Sequence, residues 1–268
     1  MYPQARAILQ PNDVINTNPN GLDTLRQDMV KASAPGKCIL FGEHAVVYGQ
    51  PALACSIDQR MIIEIESEKT FNAWRVDGRT LDAKKHPHIE YIRTRLPPHD
   101  GQPMHIRIRG TIPKASGLGS SAALSVALCG ALQQIRNEAI DPVHASVLSH
   151  LAEAEAQGGR ASPMDTATSS LGGFVVLSDA IEESLDYIET RTMDVSGETR
   201  QWHLHTFNAQ IPEGVALVVG NTGVRGSTSA MVNQVAQLIE KSPERRVELE
   251  TIGAIARRGI QSLQEGDM

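Results

Sequence analysis

Residues 112–123 read Ile112-Pro113-Lys114-Ala115-Ser116-Gly117-Leu118-Gly119-Ser120-Ser121-Ala122-Ala123. Just upstream, His105-Ile106-Arg107-Ile108-Arg109 alternates apolar and polar residues, the period of a strand with one wet face. Downstream, Leu124, Leu128, Leu132 and Ile135 share one helical stripe, and small Ala122, Ala123 and Ala127 permit close packing. The segment therefore predicts a strand, a glycine turn and a helix over Ser120 to Ile135. Glycines let the backbone turn tightly, so several N–H groups can converge on an anion near the positive end of the helix. Ser120 and Ser121 add hydroxyls that either cap the helix or face phosphate and a magnesium ion. A Walker loop needs Gly-Lys-Ser/Thr, yet Gly36-Lys37 is followed by Cys38. Gly117-x-Gly119-x-x-Ala122 satisfies the loose dinucleotide fingerprint, but that motif needs a second buried strand where two successive helices are predicted. It is the runner-up.

Working outward, the texture changes at Lys31. Residues 1–30 are polar, rich in Asn, Gln and Asp, and read as an N-terminal extension. Short apolar or alternating runs at Cys38–Phe41, Met61–Glu66, Gly172–Leu177, Trp202–Phe207 and Val215–Val219 predict strands. Pro87 to Pro103 carries four prolines and reads as a variable connection, and 178–200 as a polar bridge. A second helix, Pro142 to Ala156, opens on Asp141-Pro142, a cap followed by proline at the first helical position. Ser227 opens a helix carrying Met231, Val235, Leu238 and Ile239, and a last helix follows Ser242-Pro243-Glu244. The order is mixed α and β without strict alternation, and no internal repeat is visible.

Composition narrows the function classes. The 268 residues are 41% hydrophobic and 21% charged, which describes a globular chain long enough to bury a core. A formal net charge of −6 disfavours generic binding to nucleic acid or anionic membranes. No apolar run approaches the ~20 residues that span a bilayer, and Met1 to Met29 lacks a signal-peptide core. Cys38, Cys55 and Cys129 show neither metal-ligand spacing nor a disulfide framework, so a reducing cytoplasm fits best.

Three more segments carry chemistry. Ser33 to Gly49 places Lys37 just before an apolar strand and Glu43-His44 just after it, between glycine turns. Gly159 to Gly173 sets Asp165 among small hydroxyl residues, either as a helix cap or as a general base. Upstream, Glu153 and Glu155 fall in the last turn of a helix, where the dipole disfavours negative charge unless solvent or a cation answers it. Asn221 to Thr228 follows a strand and opens a helix, with Arg225 and Thr228 as candidate anion ligands.

Together these segments, in this order from about Lys31 to Thr228, resemble the GHMP kinase superfamily. Pro113 to Ala123 is similar to its nucleotide-binding P-x-G-x-G-L-G-S-S-A motif. Ala34-Pro35-Gly36-Lys37 with Gly42-Glu43-His44-Ala45-Val46-Val47-Tyr48-Gly49, and Asn221-Thr222 with Ser227-Thr228, resemble the mevalonate kinase branch. A galactokinase would be expected to read Gly-Glu-His-Thr-Asp after the strand.

The resemblance implies an α+β, two-domain GHMP kinase-like fold: an N-terminal nucleotide-binding α/β domain over 31–190 and a truncated ferredoxin-like C-terminal domain over 191–268. It implies transfer of a phosphoryl group from ATP, with Mg²⁺, to the 5-hydroxyl of mevalonate in isoprenoid precursor synthesis. Lys37 would lie by the transferred phosphate, and Asp165 would take the proton and hold Lys37. Lys114, Ala115, Ser116, Gly117, Leu118, Gly119, Ser120 and Ser121 would wrap the triphosphate. Ser121 and Glu153 would hold the metal, with Glu155 as the alternative because the spacing from Glu153 to Asp165 needs one inserted residue. Glu43, His44 and Thr228 would meet the substrate, and a homodimer is the expected assembly. A close Lys37–Asp165 pair is expected to keep both groups ionised.

Two departures stand out. Ala115 replaces the first family glycine, and a third glycine-rich motif near the C-terminus is missing, so the resemblance predicts a C-terminal domain cut short at Met268. The alternatives are another small-molecule kinase of the superfamily, such as a phosphomevalonate kinase, and a truncated, non-catalytic nucleotide-binding member.

Overall fold

A computed structural model describes residues 29–267 apart from 68–71, 114–115, 160, 196–197, 210–212 and 221–227. Among the described residues, eight strands form one mixed sheet: β1 (Met29–Phe41), β2 (Ala52–Ser67), β3 (Arg75–Val76), β4 (Arg79–Thr80), β5 (Met104–Gly110), β6 (Phe174–Ser178), β7 (Asp186–Val195) and β8 (Glu198–Phe207), in the order β4-β3-β5-β2-β6-β8-β7 with β1 on β2. The six helices among the described residues are α1 (Pro87–Arg95), α2 (Ser120–Ile135), α3 (Pro142–Ala156), α4 (Met164–Leu171), α5 (Thr228–Lys241) and α6 (Arg246–Glu265). This is the α+β architecture that the sequence predicts.

β2 is the spine. Its 16 residues pair antiparallel with β1, with β5 through Met61–Ser67 and with β6 through Ala52–Cys55. Ile63, Ile65 and Ile106 join Val126, Leu128 and Leu132 of α2 and Leu148 of α3 in the largest core cluster. A second cluster joins Ala54, Val175 and Leu204 to Met164 and Ala167 of α4. A third gathers Leu53, Val176 and Phe207 with Ile260 and Leu263 of α6.

Predicted helix boundaries hold for α2 and α3, and Asp141 caps α3 by accepting from the Val143 and His144 N–H groups. Three expectations need correction. Part of the Pro87–Pro103 connection is α1: Pro87 occupies its first turn, Ile89 and Ile92 are buried, and Glu90 pairs with Arg93 one turn on. Much of the polar bridge is strand: β7 lies along β8, with Asp186, Thr192 and Asp194 exposed. Val215–Val219 is not a strand: it has no regular structure and pairs with no strand among the described residues, and Leu217 and Val218 are 57% and 87% exposed. On α5, Met231 and Leu238 are exposed, while Val235 and Ile239 pack toward Ala45 and Leu249. The boundary expected at 190/191 falls inside β7.

Candidate active site

The glycine turn keeps its promise of an open helix end. Gly119 is the residue before α2, in left-handed backbone at φ 70°, and no side chain caps the helix. Neither Ser120 nor Ser121 is spent on capping, so the first amides of α2 stay available to an anion. Lys37 comes from β1, where its N–H donates to the Leu118 carbonyl at 3.0 Å. A Cβ on Gly119 would lie 2.9 Å from Lys37 Cγ, so glycine is required for the lysine stem to run against the turn.

Lys37 is 4% exposed, and its Nζ lies 3.0 Å from Asp165 Oδ1. Asp165 stands in the first turn of α4 without capping it. Its side chain is 39% exposed to the cleft, yet protein encloses it elsewhere. This desolvation raises its carboxyl above the ordinary aspartate range against the pull of Lys37, and Glu153 and Glu43 push the same way. Pairing with Lys37 favours the charged carboxylate, but burial outweighs it, so the carboxyl sits above its ordinary value.

Glu153, in the last turn of α3, is 6% exposed. Burial works to raise its carboxyl, but His88, Ser121 and Gln157 outweigh it and hold the group below its ordinary value. Gln157 Nε2 donates to Oε2 at 2.8 Å. His88 Nε2 lies 3.3 Å from Oε1. Glu155, on the same helix, is exposed and does not line the cleft that holds this group.

These side chains share a cleft of about 240 Å³ lined by Lys37, Glu43, His44, Ser116 to Ser121, Glu153, Gln157 and Asp165, among others. His44 enters with φ 65° ahead of the short 3-10 turn Ala45–Tyr48, and Trp202 Nε1 fixes that turn by donating to the Val46 carbonyl at 3.2 Å. The structure thus brings together Lys37, Asp165, Glu153, Glu43, His44 and the serines and glycines of the turn. Lys114 and Ala115 lie outside the described residues, as does the Thr228 side chain. His88 and Gln157 are missing from the sequence reading; the signals were a histidine right after a helix-opening proline and a Gln one turn beyond Glu153. A wider depression of about 380 Å³ at Asp77, His105, Arg107 and Arg109 is a weaker candidate, since Arg107 and Arg109 already pair with Glu66 and Glu64.

Among the described residues, no three His, Cys, Asp or Glu side chains converge as a metal cage. A magnesium ion carried by a polyphosphate asks for less: one or two protein oxygens, with phosphates and water completing its shell. Glu153 Oε1, buried with no aligned hydrogen bond, and the adjacent Ser121 hydroxyl fit that need.

A site with backbone amides at an open helix end, a buried lysine and a carboxylate beside it is built for an anionic ligand and a proton transfer. The family model for the GHMP kinases N terminal domain matches residues 85–173. A mevalonate kinase of Methanothermobacter thermautotrophicus is 40% identical over 177 residues, covering 63% of this chain and 58% of that protein. A mevalonate kinase of Pyrococcus furiosus is 31% identical over 254 residues, covering 85% of this chain and 68% of that protein. The solved mevalonate kinase of Methanococcus jannaschii superposes with a TM-score of 0.61 at 20% identity, over 88% of this chain and 74% of that one, which supports the fold. The chain belongs to the GHMP kinase family, on its mevalonate kinase branch. It spans 58% and 68% of the length of the two curated relatives.

Proposed function

We propose that this chain carries the catalytic cleft of an ATP-dependent mevalonate kinase, which phosphorylates the 5-hydroxyl of mevalonate and releases ADP. The observation that carries the reading is the 3.0 Å Lys37–Asp165 pair at the foot of the uncapped α2 turn. Phosphoryl transfer asks a protein for positioning and charge neutralisation more than for covalent chemistry. Backbone amides from Gly117 to Ser121 receive the phosphates. An alcohol is a weak nucleophile at neutral pH, and Asp165, held by Lys37, accepts its proton; a carboxyl raised above its ordinary range suits a general base. Lys37 also supplies positive charge where negative charge develops. Ser121 and Glu153 would hold a magnesium ion, which would supply neutralising charge to the phosphates. Glu43, His44 and Thr228 orient the substrate. Three free thiols fit a reducing compartment, and we place the enzyme in the cytoplasm.

The experiment is coupled ADP release with magnesium on mevalonate, phosphomevalonate, galactose and homoserine in parallel. Turnover is expected on mevalonate. Turnover on one of the others with none on mevalonate overturns the assignment.

A further inference from the structure

Glu153 is badly placed to carry a charge unaided. It lies in the last turn of α3, where the carbonyl end of a helix disfavours anions, and it is nearly out of reach of water. Gln157 satisfies Oε2. Facing Oε1 is His88 Nε2 at 3.3 Å, and neither atom has an aligned hydrogen bond elsewhere. His88 arrives there by construction: Pro87 opens α1, and Ile89 and Ile92 seat the helix in the core that also holds Leu148 and Ala152 of α3. A side chain serving only to fill this space would not need a nitrogen aimed at a buried carboxylate.

We propose that His88 is a positioning residue, whose Nε2 sets the Glu153 carboxylate so that Oε1 faces the divalent cation of a bound nucleotide. The inference rests on the kinase reading given above. A carboxylate oxygen has two lone pairs, so Oε1 can accept from His88 and still ligate a cation. Partners that orient a metal ligand in this way typically matter about 10- to 100-fold for metal affinity.

The test uses the full chain, with Mn²⁺ as the probe and ADP as the nucleotide, and reads bound Mn²⁺ by electron paramagnetic resonance. His88→Phe, which keeps the volume and removes the nitrogen, is expected to weaken Mn²⁺ retention about tenfold or more. ADP affinity without metal should stay unchanged, and His88→Gln should restore most of the retention. Retention by His88→Phe equal to wild type, while Glu153→Gln loses the ion, overturns the proposal and makes His88 a packing residue. Should His88→Phe lower the melting temperature, the comparison moves to His88→Gln against the shorter His88→Asn; equal retention by those two overturns it as well. Full retention by Glu153→Gln removes both this inference and the metal assignment, and leaves the kinase reading to the ADP-release assay.

Discussion

Lys37 is a buried cation, and such a group is tolerated only beside a counter-charge, which Asp165 provides. Replacing Lys37 by Met should cost about 10²–10³ in kcat, the scale of losing one preorganised electrostatic donor. Gly119→Ala tests the same lysine from the other side. It forces a Cβ into left-handed backbone and against Lys37 Cγ, so a drop in kcat of about 10² is expected, as for misplacement by a fraction of an ångström to one ångström. Asp165 should appear in the pH profile. Its carboxyl is raised, so kcat/KM should fall as pH drops through a midpoint above the ordinary aspartate range, where the base becomes protonated. A limb at or below that range contradicts the raised carboxyl. At this scale the sequence marked residues that the structure gathers in one cleft: Lys37 between glycine turns, the serines after Gly119, and Asp165 among hydroxyls. His88 follows a helix-opening proline, but that mark says nothing of Glu153, which it meets only when α1 packs beside α3.

At the scale of elements, α3 shows how one helix serves packing and the site together. His150 is fully buried beside Trp202, with Nε2 2.9 Å from the Ala161 carbonyl in the loop that leads to Asp165. Burial pushes its imidazole down from 6.5 to about 4. Between those values the unfolded chain binds a proton that the native chain does not, so stability should fall as pH drops from 6.5 toward 4 and level off below. The loss from this one group is on the order of 3 kcal/mol. Urea midpoints measured across that range should show it, and His150→Gln should flatten the dependence. The long amphipathic and apolar elements, α2, α3 and β5, were legible because their periods are strong. α1 was hidden by prolines, and β7 by polar residues that a sheet leaves exposed. Val215–Val219 erred the other way, since five apolar residues make a strand only where an edge receives them.

Across the whole molecule, the sheet carries α2 and α3 through one core, while α6 packs against Leu53, Val176 and Phe207 in another. α6 approaches closely because Gly259 has no side chain; a Cβ there would lie 2.5 Å from the Phe41 ring. Gly259→Val should therefore destabilise the fold by about 1–3 kcal/mol, read as a lower Tm. α5 and α6 also meet the Ala45–Tyr48 turn through Ile239 and Leu249, so these two helices support the turn that directly follows Glu43 and His44. The cleft is thus assembled from β1, the α2 turn, α3 and α4, and braced from behind. In the proposed reaction, Asp165 takes a proton from an alcohol while the α2 turn holds ATP. Single-turnover transfer of the γ-phosphoryl group of ATP to mevalonate, by wild type and Asp165→Asn, tests this most directly. The expected result is transfer by wild type and a loss of about 10²–10⁴ in rate for Asp165→Asn with ATP affinity retained; transfer by Asp165→Asn at the wild-type rate would contradict it.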